Sequence, residues 1–423
     1  MMVINNGTER NVPFPGRRFI KDSYGFWFIG GMCWLAYVTA YFGRINLSII
    51  LPNLHDTLGY SNISLGMIAL CFFVAYAVGQ LINGFIGDVI DPRYFVGFGL
   101  FAAGLCNVFF GFSKGIVFLC IFWSLNGYAQ SMLWGPMVRM VSEATPQKQL
   151  QKITLFFASS AIFGYLFSYT LVGKMAVSLS WRMVFLIPGC ILILISALWF
   201  AIFRNYHAMT GQEPVPRQGE PRRDLRDIPD FVLRNRLWMI GLIALLNGSV
   251  KEGMTLWGPS FFVDYQSLPL EKALYFMSFV PLMNLIALAG SAFMNRVFNY
   301  QAKYTISFFL FFTLAFSVLL RVGMNLNHLV VDIAFFGLFA LFLAVNNMIT
   351  AFMPIYFNKE RRVSSVAGFL DCSVYAGAAL SSPLTGFIMD KSGWKGIING
   401  WIVICAAALL ASLLSRNYQK RQQ

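Results

Sequence analysis

Hydrophobic residues run through the chain in long blocks, and short polar segments separate each block from the next. A hydrocarbon core about 30 Å thick is crossed by roughly 20 residues of α-helix, because each residue rises about 1.5 Å. The pattern therefore predicts an all-α polytopic membrane protein with twelve transmembrane helices. The predicted spans are residues 25–53, 62–86, 94–112, 116–138, 153–173, 183–203, 237–263, 273–294, 304–322, 329–353, 364–389 and 396–415.

Composition and charge support a membrane protein. Hydrophobic residues make up 57% of the chain and charged residues 12%, which is outside the range of ordinary soluble domains. With the N-terminus in the cytoplasm, 23 of the 32 Lys and Arg lie in cytoplasmic segments and seven in outer loops. Because cytoplasmic loops carry such an excess, both termini are predicted to be cytoplasmic. The same distribution explains the net charge of +14, so we expect no nucleic-acid partner.

The longest connection, residues 204–236, divides the spans into two groups of six. It is polar and rich in proline, as expected of a linker. Two pseudo-symmetric groups of this kind are typical of transporters whose halves rock about a site near the bilayer midplane. The predicted organisation is a cytoplasmic tail (1–24), a six-helix domain (25–203), a cytoplasmic linker (204–236), a second six-helix domain (237–415) and a cytoplasmic tail (416–423). We expect no cleavable signal peptide, because the first 24 residues lack its apolar core.

Four ionisable residues lie well inside the predicted spans: Arg44, Lys251, Glu252 and Asp371. Each costs about 2.5–3.5 kcal/mol at a helix centre, so none is expected to face lipid. Two positive and two negative charges also permit purely structural pairs. Lys251 and Glu252 point about 100° apart around their helix and are not expected to neutralise each other, whereas Asp371 is expected to reach Lys251. The functional alternative to such structural pairs is that Glu252 and Asp371 tune the charge balance of the binding site or carry a coupling proton.

Arg44 shares a helix face with Tyr37, Tyr41 and Ser48, at spacings of i, i+4, i+7 and i+11. Its guanidinium is a planar fork that suits two oxygens of a phosphate or carboxylate. Aromatic residues at this spacing usually serve packing, but a cation among them favours an anion-binding face. Lys251 lies roughly 21 Å along the seventh span and is therefore near mid-depth in the second domain.

The fourth span carries a second polar stripe. Asn126 and Gln130 lie at i and i+4, and Trp134 continues the same face. This stripe is suited either to contact substrate hydroxyls or to join helices, and the sequence leaves both alternatives open.

The sequence predicts neither an enzyme, nor a metal site, nor a cofactor. All seven cysteines lie in apolar blocks without Cys-x-x-Cys or Cys/His spacing, and the three histidines lie in loops or at span ends. No P-loop for ATP is present. The energy for transport is therefore expected from a gradient, and we expect a monomer in the lipid bilayer.

Four segments carry a resemblance to a known family: YVTAYFGRINLSIILP (37–52), AYAVGQLINGFIGDVIDPRYFVGFGL (75–100), WSLNGYAQSMLWGP (123–136) and SVKEGMTLWGPSFF (249–262). Together they resemble the major facilitator superfamily and, within it, the organophosphate:phosphate antiporter family of glycerol-3-phosphate, hexose-phosphate and glucose-6-phosphate transporters. The resemblance runs over nearly the whole chain. It implies the superfamily fold of two six-helix domains.

The resemblance also implies residue roles. Arg44 matches a phosphate ligand of the family, and Lys251 stands where bacterial relatives have a second phosphate-binding arginine. Gly87, Asp88 and Arg93 match the superfamily's cytoplasmic gating motif, in which the acid and base latch neighbouring helix ends.

Three positions differ from many relatives. Gln80 replaces a lysine, Ser160 replaces a histidine, and the cation at residue 251 is a lysine rather than an arginine. These differences suit a less charged solute than a phosphate ester.

The function predicted from these features is secondary active transport of a small organic anion by rocker-switch alternating access. The expected anion is a phosphorylated metabolite, such as a sugar phosphate or glycerol phosphate, that is exchanged for inorganic phosphate. A proton-coupled symporter of a sugar acid or other carboxylate is one alternative, and a non-transporting sugar-phosphate sensor is another. The expected location is a bacterial cytoplasmic membrane.

Overall fold

The computed structural model describes residues 25–146, 148–204, 227–357 and 363–416, and regular structure in these ranges is helical. Its α-helices are α1 Gly25–Leu58, α2 Asn62–Val89, α3 Pro92–Phe112, α4 Ile116–Gln130, α5 Trp134–Ala144, α6 Leu150–Phe167, α7 Gly173–Ser178, α8 Met183–Phe203, α9 Asp227–Arg234, α10 Leu237–Ser260, α11 Leu270–Met277, α12 Val280–Val297, α13 Ala302–Gly323, α14 His328–Asn347 and α15 Val363–Leu414. Short π-helical segments lie at Ser168–Val172, Phe261–Tyr265 and Met348–Phe352, and a 3₁₀ helix at Met353–Phe357. The predicted tail 1–24, the tail beyond residue 416 and linker residues 205–226 lie outside the described residues.

Local sequence fixes where several helices begin and end. The side chains of Ser61, Asp91 and Asn327 each accept a hydrogen bond from a backbone N–H in the first turn of α2, α3 and α14. Such caps satisfy donors that the first turn of a helix leaves free. Between α1 and α2, Gly59 has a φ of 64°, which costs glycine little because it has no Cβ. These caps and the turn at Gly59 set where the helices begin and end.

Ten helical stretches in the described ranges are long and apolar enough to cross a membrane. They are Gly25–His55, Asn62–Asn83, Pro92–Phe112, Ile116–Ala144, Lys152–Ser178, Met183–Phe203, Leu270–Val297, Ala302–Gly323, His328–Phe357 and Ser365–Leu414. Large apolar side chains such as Phe112, Leu194 and Val403 are 65%, 71% and 68% exposed. Apolar exposure on this scale suits lipid rather than water. The protein is a multi-pass integral membrane protein.

The count of twelve spans stays a prediction. Helix α10 covers the predicted span 237–263 but is not among the ten apolar stretches. Helix α15 covers both of the last two predicted spans, and the loop predicted at 390–395 is replaced by a break at Gly393 (φ 62°, ψ −163°). Glycine tolerates this left-handed backbone, so a single residue interrupts the helix where a loop was expected.

The N-terminal half (α1–α8) and the C-terminal half (α10–α15) meet closely at one end. We call this the outer end, because the predicted topology places it outside the cell. Gly66 of α2 lies against the backbone of Ser382, and Gly386 of α15 lies against the backbone carbonyl of Asn62. The Asp390 carboxylate also accepts a hydrogen bond from Asn62 Nδ2 at 2.7 Å. The two halves are therefore closed against each other at the outer end.

Candidate substrate-binding site

The guanidinium of Arg44 is hydrogen-bonded to one tyrosine from each half. Nη2 donates to Tyr375 Oη at 2.8 Å, and Nη1 donates to Tyr76 Oη at 3.3 Å. Tyr76 lies in α2 and Tyr375 in α15, so the cation lies where the two halves meet. Both acceptors are neutral, and Arg44 forms no ion pair within the described part of the chain. A half-buried cation with neutral partners is a favourable place for an anion.

Aromatic rings surround the same guanidinium. Its central carbon lies 4.4 Å from the ring centroid of Tyr76, 5.6 Å from Tyr41, 5.7 Å from Tyr375 and 5.8 Å from Phe72. Each such contact contributes about 0.5–1 kcal/mol at exposed sites and more when desolvated. The rings therefore hold the cation in place without neutralising its charge.

A small cavity opens beside Arg44 at the interface between the halves. Its lining includes Arg44, Ser48, Phe72, Phe73, Tyr165 and Glu252. The space in this cavity that is open to water is about 30 Å³. Since one water needs roughly 10–15 Å³ of such space, the cavity fits about two waters. A sugar phosphate enters only if the halves separate.

The prediction that Lys251 and Glu252 do not neutralise each other is wrong. Lys251 Nζ lies 2.6 Å from Glu252 Oε1, and the side chains are 12% and 7% exposed. The flexible four-carbon stem of lysine spans the angle between the two Cβ directions. Asp371 also interacts electrostatically with Lys251, but the ion pair that forms is with Glu252.

Close packing of α10 against α15 explains why Asp371 is near Lys251. Gly248 of α10 lies against the backbone of Val374, and Gly377 of α15 lies against α10 one turn before Gly248. These contacts fix an antiparallel register between α10 and α15. One turn beyond the Gly248–Val374 contact, Lys251 and Asp371 lie opposite each other. Small residues permit this approach between transmembrane helices.

The structure places Glu252, and not Lys251, in the lining of the cavity. Ser48, which shares the Arg44 face, donates from its hydroxyl to the backbone carbonyl of Thr255 at 2.7 Å and so ties α1 to α10. Arg44 and Glu252 thus belong to one cavity with opposite charges from opposite halves. The role of Lys251 as an anion ligand stays a prediction.

The polar stripe of the fourth span is used for contacts between helices. Asn126 Nδ2 donates to the Gly43 carbonyl at 2.8 Å, and Gln130 Nε2 donates to the Ala40 carbonyl at 3.0 Å. Both residues are buried, with 0% and 3% exposed. Of the two alternatives left open by the sequence, these bonds favour the structural one. The role of Asn126 and Gln130 as substrate contacts stays a prediction.

Trp134, Tyr37 and Tyr41 form an aromatic cluster beside the Arg44 cage. The Trp134 ring stacks on Phe157 with centroids 4.8 Å apart, and it lies at the same distance from Tyr37. Tyr37 meets Tyr41 edge to face at 5.4 Å. The predicted binding-face aromatics are therefore brought together with Arg44, although Tyr37 and Tyr41 are each 7% exposed and serve as core.

A buried amide network behind Arg44 joins three helices of the N-terminal half. Asn46 Nδ2 donates to Asn107 Oδ1 at 2.8 Å, and Asn107 Nδ2 donates to the Gly43 carbonyl at 3.1 Å and to Asn126 Oδ1 at 3.3 Å. All three asparagines are 0% exposed. Buried polar networks whose members are satisfied rigidify the core around them.

Replacing Asn107 with alanine is expected to destabilise this half. The change leaves buried donors and acceptors unpaired, which costs about 1–3 kcal/mol. Thermal unfolding of the purified variant in detergent, followed by tryptophan fluorescence, is expected to give a lower melting temperature. Asn399→Ala is the matched control, because that amide accepts a bond from Arg321 in an exposed position. Equal melting temperatures for the two variants would contradict the role of the network.

A sequence profile described as Major Facilitator Superfamily matches residues 33–368, which is most of the chain. The chain belongs to the Major Facilitator Superfamily. The superfamily membership expected from the resemblance of its motifs is therefore confirmed.

Individual relatives cover nearly the whole length. A probable hexose phosphate transport protein of Chlamydia pneumoniae is 24% identical over 423 residues, covering 93% of this chain and 92% of the relative. The glycerol-3-phosphate transporter of Bacillus subtilis (strain 168) is 24% identical over 423 residues, covering 94% and 93%. A bacterial homologue of the human lysosomal transporter Spinster, in an inward-facing, unoccupied crystal structure, matches with a TM-score of 0.73 at 13% identity, covering 93% and 98%. At that identity the structural match shows the fold, which is the superfamily's helical fold.

The predicted gating motif of this Major Facilitator Superfamily member lies at the end opposite the outer end. Arg93 pairs with Asp91 at 2.7 Å and donates from Nη1 to the Arg204 carbonyl at 3.1 Å, at the end of α8. A cation at the C-terminus of a helix is favourable because the carbonyls there are unpaired. The side chain of Asp88 lies outside the described part of the structure. The predicted latch therefore stays a prediction for Asp88, while Arg93 does join neighbouring helix ends.

Several residues near these sites were not singled out from the sequence as site residues. Tyr76 and Tyr375 accept hydrogen bonds from Arg44. The sequence feature that could have indicated them is a tyrosine within an apolar span. Arg139 donates to the Gly87 carbonyl at 3.0 Å and so belongs to the gating region, but nothing in its local pattern indicated this. Asn247 is fully buried one turn before Lys251, and neither polar atom of its amide has a hydrogen-bond partner among the residues that the structure describes.

Proposed function

We propose that this protein is a secondary active transporter that exchanges a phosphorylated metabolite for inorganic phosphate by alternating access. The metabolite would be a sugar phosphate or glycerol phosphate. The two relatives described above are named as a probable hexose phosphate transport protein and a glycerol-3-phosphate transporter, which supports this substrate class. Phosphate as the counter-substrate is part of the proposal.

The observation that carries the proposal is the environment of Arg44. The guanidinium is permanently charged, lines the cavity between the halves, and has tyrosyl hydroxyls as its hydrogen-bond acceptors. A phosphate offers two charged oxygens in the geometry of the guanidinium fork. Substrate phosphate would therefore displace Tyr76 and Tyr375 from Arg44. Because Tyr375 belongs to the C-terminal half, this exchange of partners would alter how the halves are held together.

The architecture that we propose has twelve spans. The ten apolar stretches become twelve when α10 is counted and α15 is divided at Gly393. Helices α1–α8 would form one six-span domain and α10–α15 the other, with both termini cytoplasmic in a bacterial inner membrane. In this arrangement the closed outer end faces outward. Alternating access then consists of opening the outer end while the opposite end closes.

Counterflow in proteoliposomes tests this function. Liposomes loaded with inorganic phosphate are diluted into labelled glucose 6-phosphate or glycerol 3-phosphate, with and without a protonophore. We expect saturable uptake that requires internal phosphate and is insensitive to the protonophore. A protein that binds these compounds without accumulating them would be a sensor, and the proposal would be wrong.

Glu252 favours a second candidate function, a proton-coupled symporter of a carboxylate. A carboxyl group in the cavity is suited to take up and release a proton during transport. The same experiment with a labelled sugar acid separates the two functions. Uptake that needs a pH gradient and no internal phosphate would favour the symporter.

A further inference from the structure

Glu252 is an acid in the cavity of a protein that we propose to bind phosphate. It is 5% exposed as a whole residue and lines the same cavity as Arg44. Phe72, one of the rings around Arg44, lines this cavity as well, which places Glu252 beside the aromatic cage of Arg44. A carboxylate repels a phosphate, so its position needs an explanation other than phosphate binding.

The charges of the two halves differ at the cavity. In the C-terminal half, Lys251 pairs with Glu252, and Asp371 lies level with Lys251 on α15, so this cluster has two carboxylates and one ammonium group. Within the described ranges, Arg44 of the N-terminal half has tyrosyl hydroxyls and no carboxylate as partner. When all four groups are ionised, the C-terminal cluster has one excess negative charge and the N-terminal side one excess positive charge. A molecule with a separated anion and cation would complement both sides.

We propose that the preferred substrate is a zwitterionic organophosphate, a phosphate monoester that also carries a primary ammonium group. This inference rests on the proposed function, because it takes the phosphate to be bound by Arg44. The ammonium group would bind Glu252, and Lys251 would then pair with Asp371 in place of Glu252.

The sum of charges supports this class over the phosphate ester of an uncharged sugar. Arg44, Lys251, Glu252 and Asp371 sum to zero when ionised, so a phosphate dianion alone leaves the closed site with two uncompensated negative charges. An ammonium group on the same molecule removes one of them. Uncompensated charge in a low-dielectric site is costly, whereas an ammonium that is hydrogen-bonded to a carboxylate is favourable.

The cavity walls also suit an ammonium group. Phe72, Phe73 and Tyr165 line the cavity together with Glu252. The faces of aromatic rings attract cations, and this attraction strengthens when water is excluded. A purely structural role of Glu252, as the partner of Lys251, predicts no preference for an amine, so the two explanations differ in a measurable quantity.

Three probes that differ in one substituent test the inference: glucose 6-phosphate, glucosamine 6-phosphate and N-acetylglucosamine 6-phosphate. Proteoliposomes that contain the wild-type protein are loaded with phosphate, and the counterflow of each probe is measured at increasing concentration and neutral pH. A charge-assisted hydrogen bond predicts that glucosamine 6-phosphate half-saturates at a concentration about tenfold lower than glucose 6-phosphate. Acetylation removes the positive charge, so N-acetylglucosamine 6-phosphate is expected to lose this advantage.

Glu252→Gln assigns the preference to its residue. The glutamine keeps the shape of the side chain and removes its charge, so the ratio between the glucosamine and glucose forms is expected to fall to about one, the loss of a single charge-assisted bond. Glu271→Gln, at the exposed start of α11, is the matched control and is expected to keep the tenfold ratio. The ratio in the wild-type protein tests the inference even if the Glu252 variant fails to fold.

The outcomes separate this inference from the function on which it rests. If the wild-type protein exchanges all three sugar phosphates with equal affinity, the zwitterion inference is wrong and the phosphate exchanger stands. A ratio that persists in Glu252→Gln would also overturn it. If none of the three exchanges with phosphate, the proposed function fails and the inference fails with it.

Discussion

Replacing Arg44 with alanine is expected to lower phosphate counterflow at least about a hundredfold, because it removes the two charge-assisted hydrogen bonds that we propose between Arg44 and the anion. Each bond to a charged group contributes about 1.5–3 kcal/mol, and each 1.4 kcal/mol is a tenfold change in affinity. The loss has no ready compensation from the C-terminal half. There the cation Lys251 is already paired with Glu252 at 2.6 Å.

The measurement is initial exchange at increasing substrate concentration, with protein amount determined in the same liposomes. Arg44→Lys is measured beside Arg44→Ala, since lysine keeps the positive charge but replaces the planar guanidinium by a single ammonium group. We expect this variant to fall between the wild type and Arg44→Ala. Arg321→Ala is the control, because Arg321 donates to Asn399 at an exposed position. Normal exchange by a well-folded Arg44→Ala variant would contradict the assignment of Arg44 to the substrate-binding site.

Replacing Gly66 with valine is expected to slow exchange about tenfold or more, because overpacking costs typically 1–3 kcal/mol. A Cβ at residue 66 would overlap the backbone of Ser382 and Pro383 in the opposite half. Backbone atoms cannot move aside as the end of a flexible side chain does. The penalty applies only while the outer end is closed, and each transport cycle requires that state.

Gly31→Val provides the matched control, because Gly31 is also within a helix but an added Cβ there meets no neighbouring helix or side chain of the described residues within 4 Å. Binding and exchange are measured on the same preparations. The Gly66 variant is expected to retain binding of external substrate while it loses exchange, whereas the Gly31 variant keeps both. Equal exchange by the two variants would show that close contact at the outer end is not needed.

Much of the fold was predictable because it depends on local pattern. Long apolar blocks marked helices with boundaries close to those observed, as in the predicted span 183–203 and helix Met183–Phe203. The break at Gly393 was predicted as a six-residue loop, because sequence shows where glycine permits a turn but not how short that turn is. The count of spans is still a prediction, both because of this break and because α10 is not among the ten apolar stretches.

The site was predictable only in part. Arg44 was identifiable because a charge is costly in an apolar span, and its face followed from the helical period. The period gave the wrong relation between Lys251 and Glu252, since it describes Cβ directions and not where a flexible side chain ends. For Asn126 it left open the choice between a ligand contact and a helix contact, and the buried bond to the Gly43 carbonyl favours the helix contact.

The sequence by itself determined a helical membrane protein, the superfamily to which it belongs, and the residues whose charges need partners. The tertiary structure decided which partners they have. Arg44 and Tyr375 are 331 positions apart in the chain, yet their side chains are 2.8 Å apart in the fold. Helical periodicity acts over a few residues and is written in the local sequence. Contacts between helices depend on how all the helices pack together, so they appear only when the whole chain has folded.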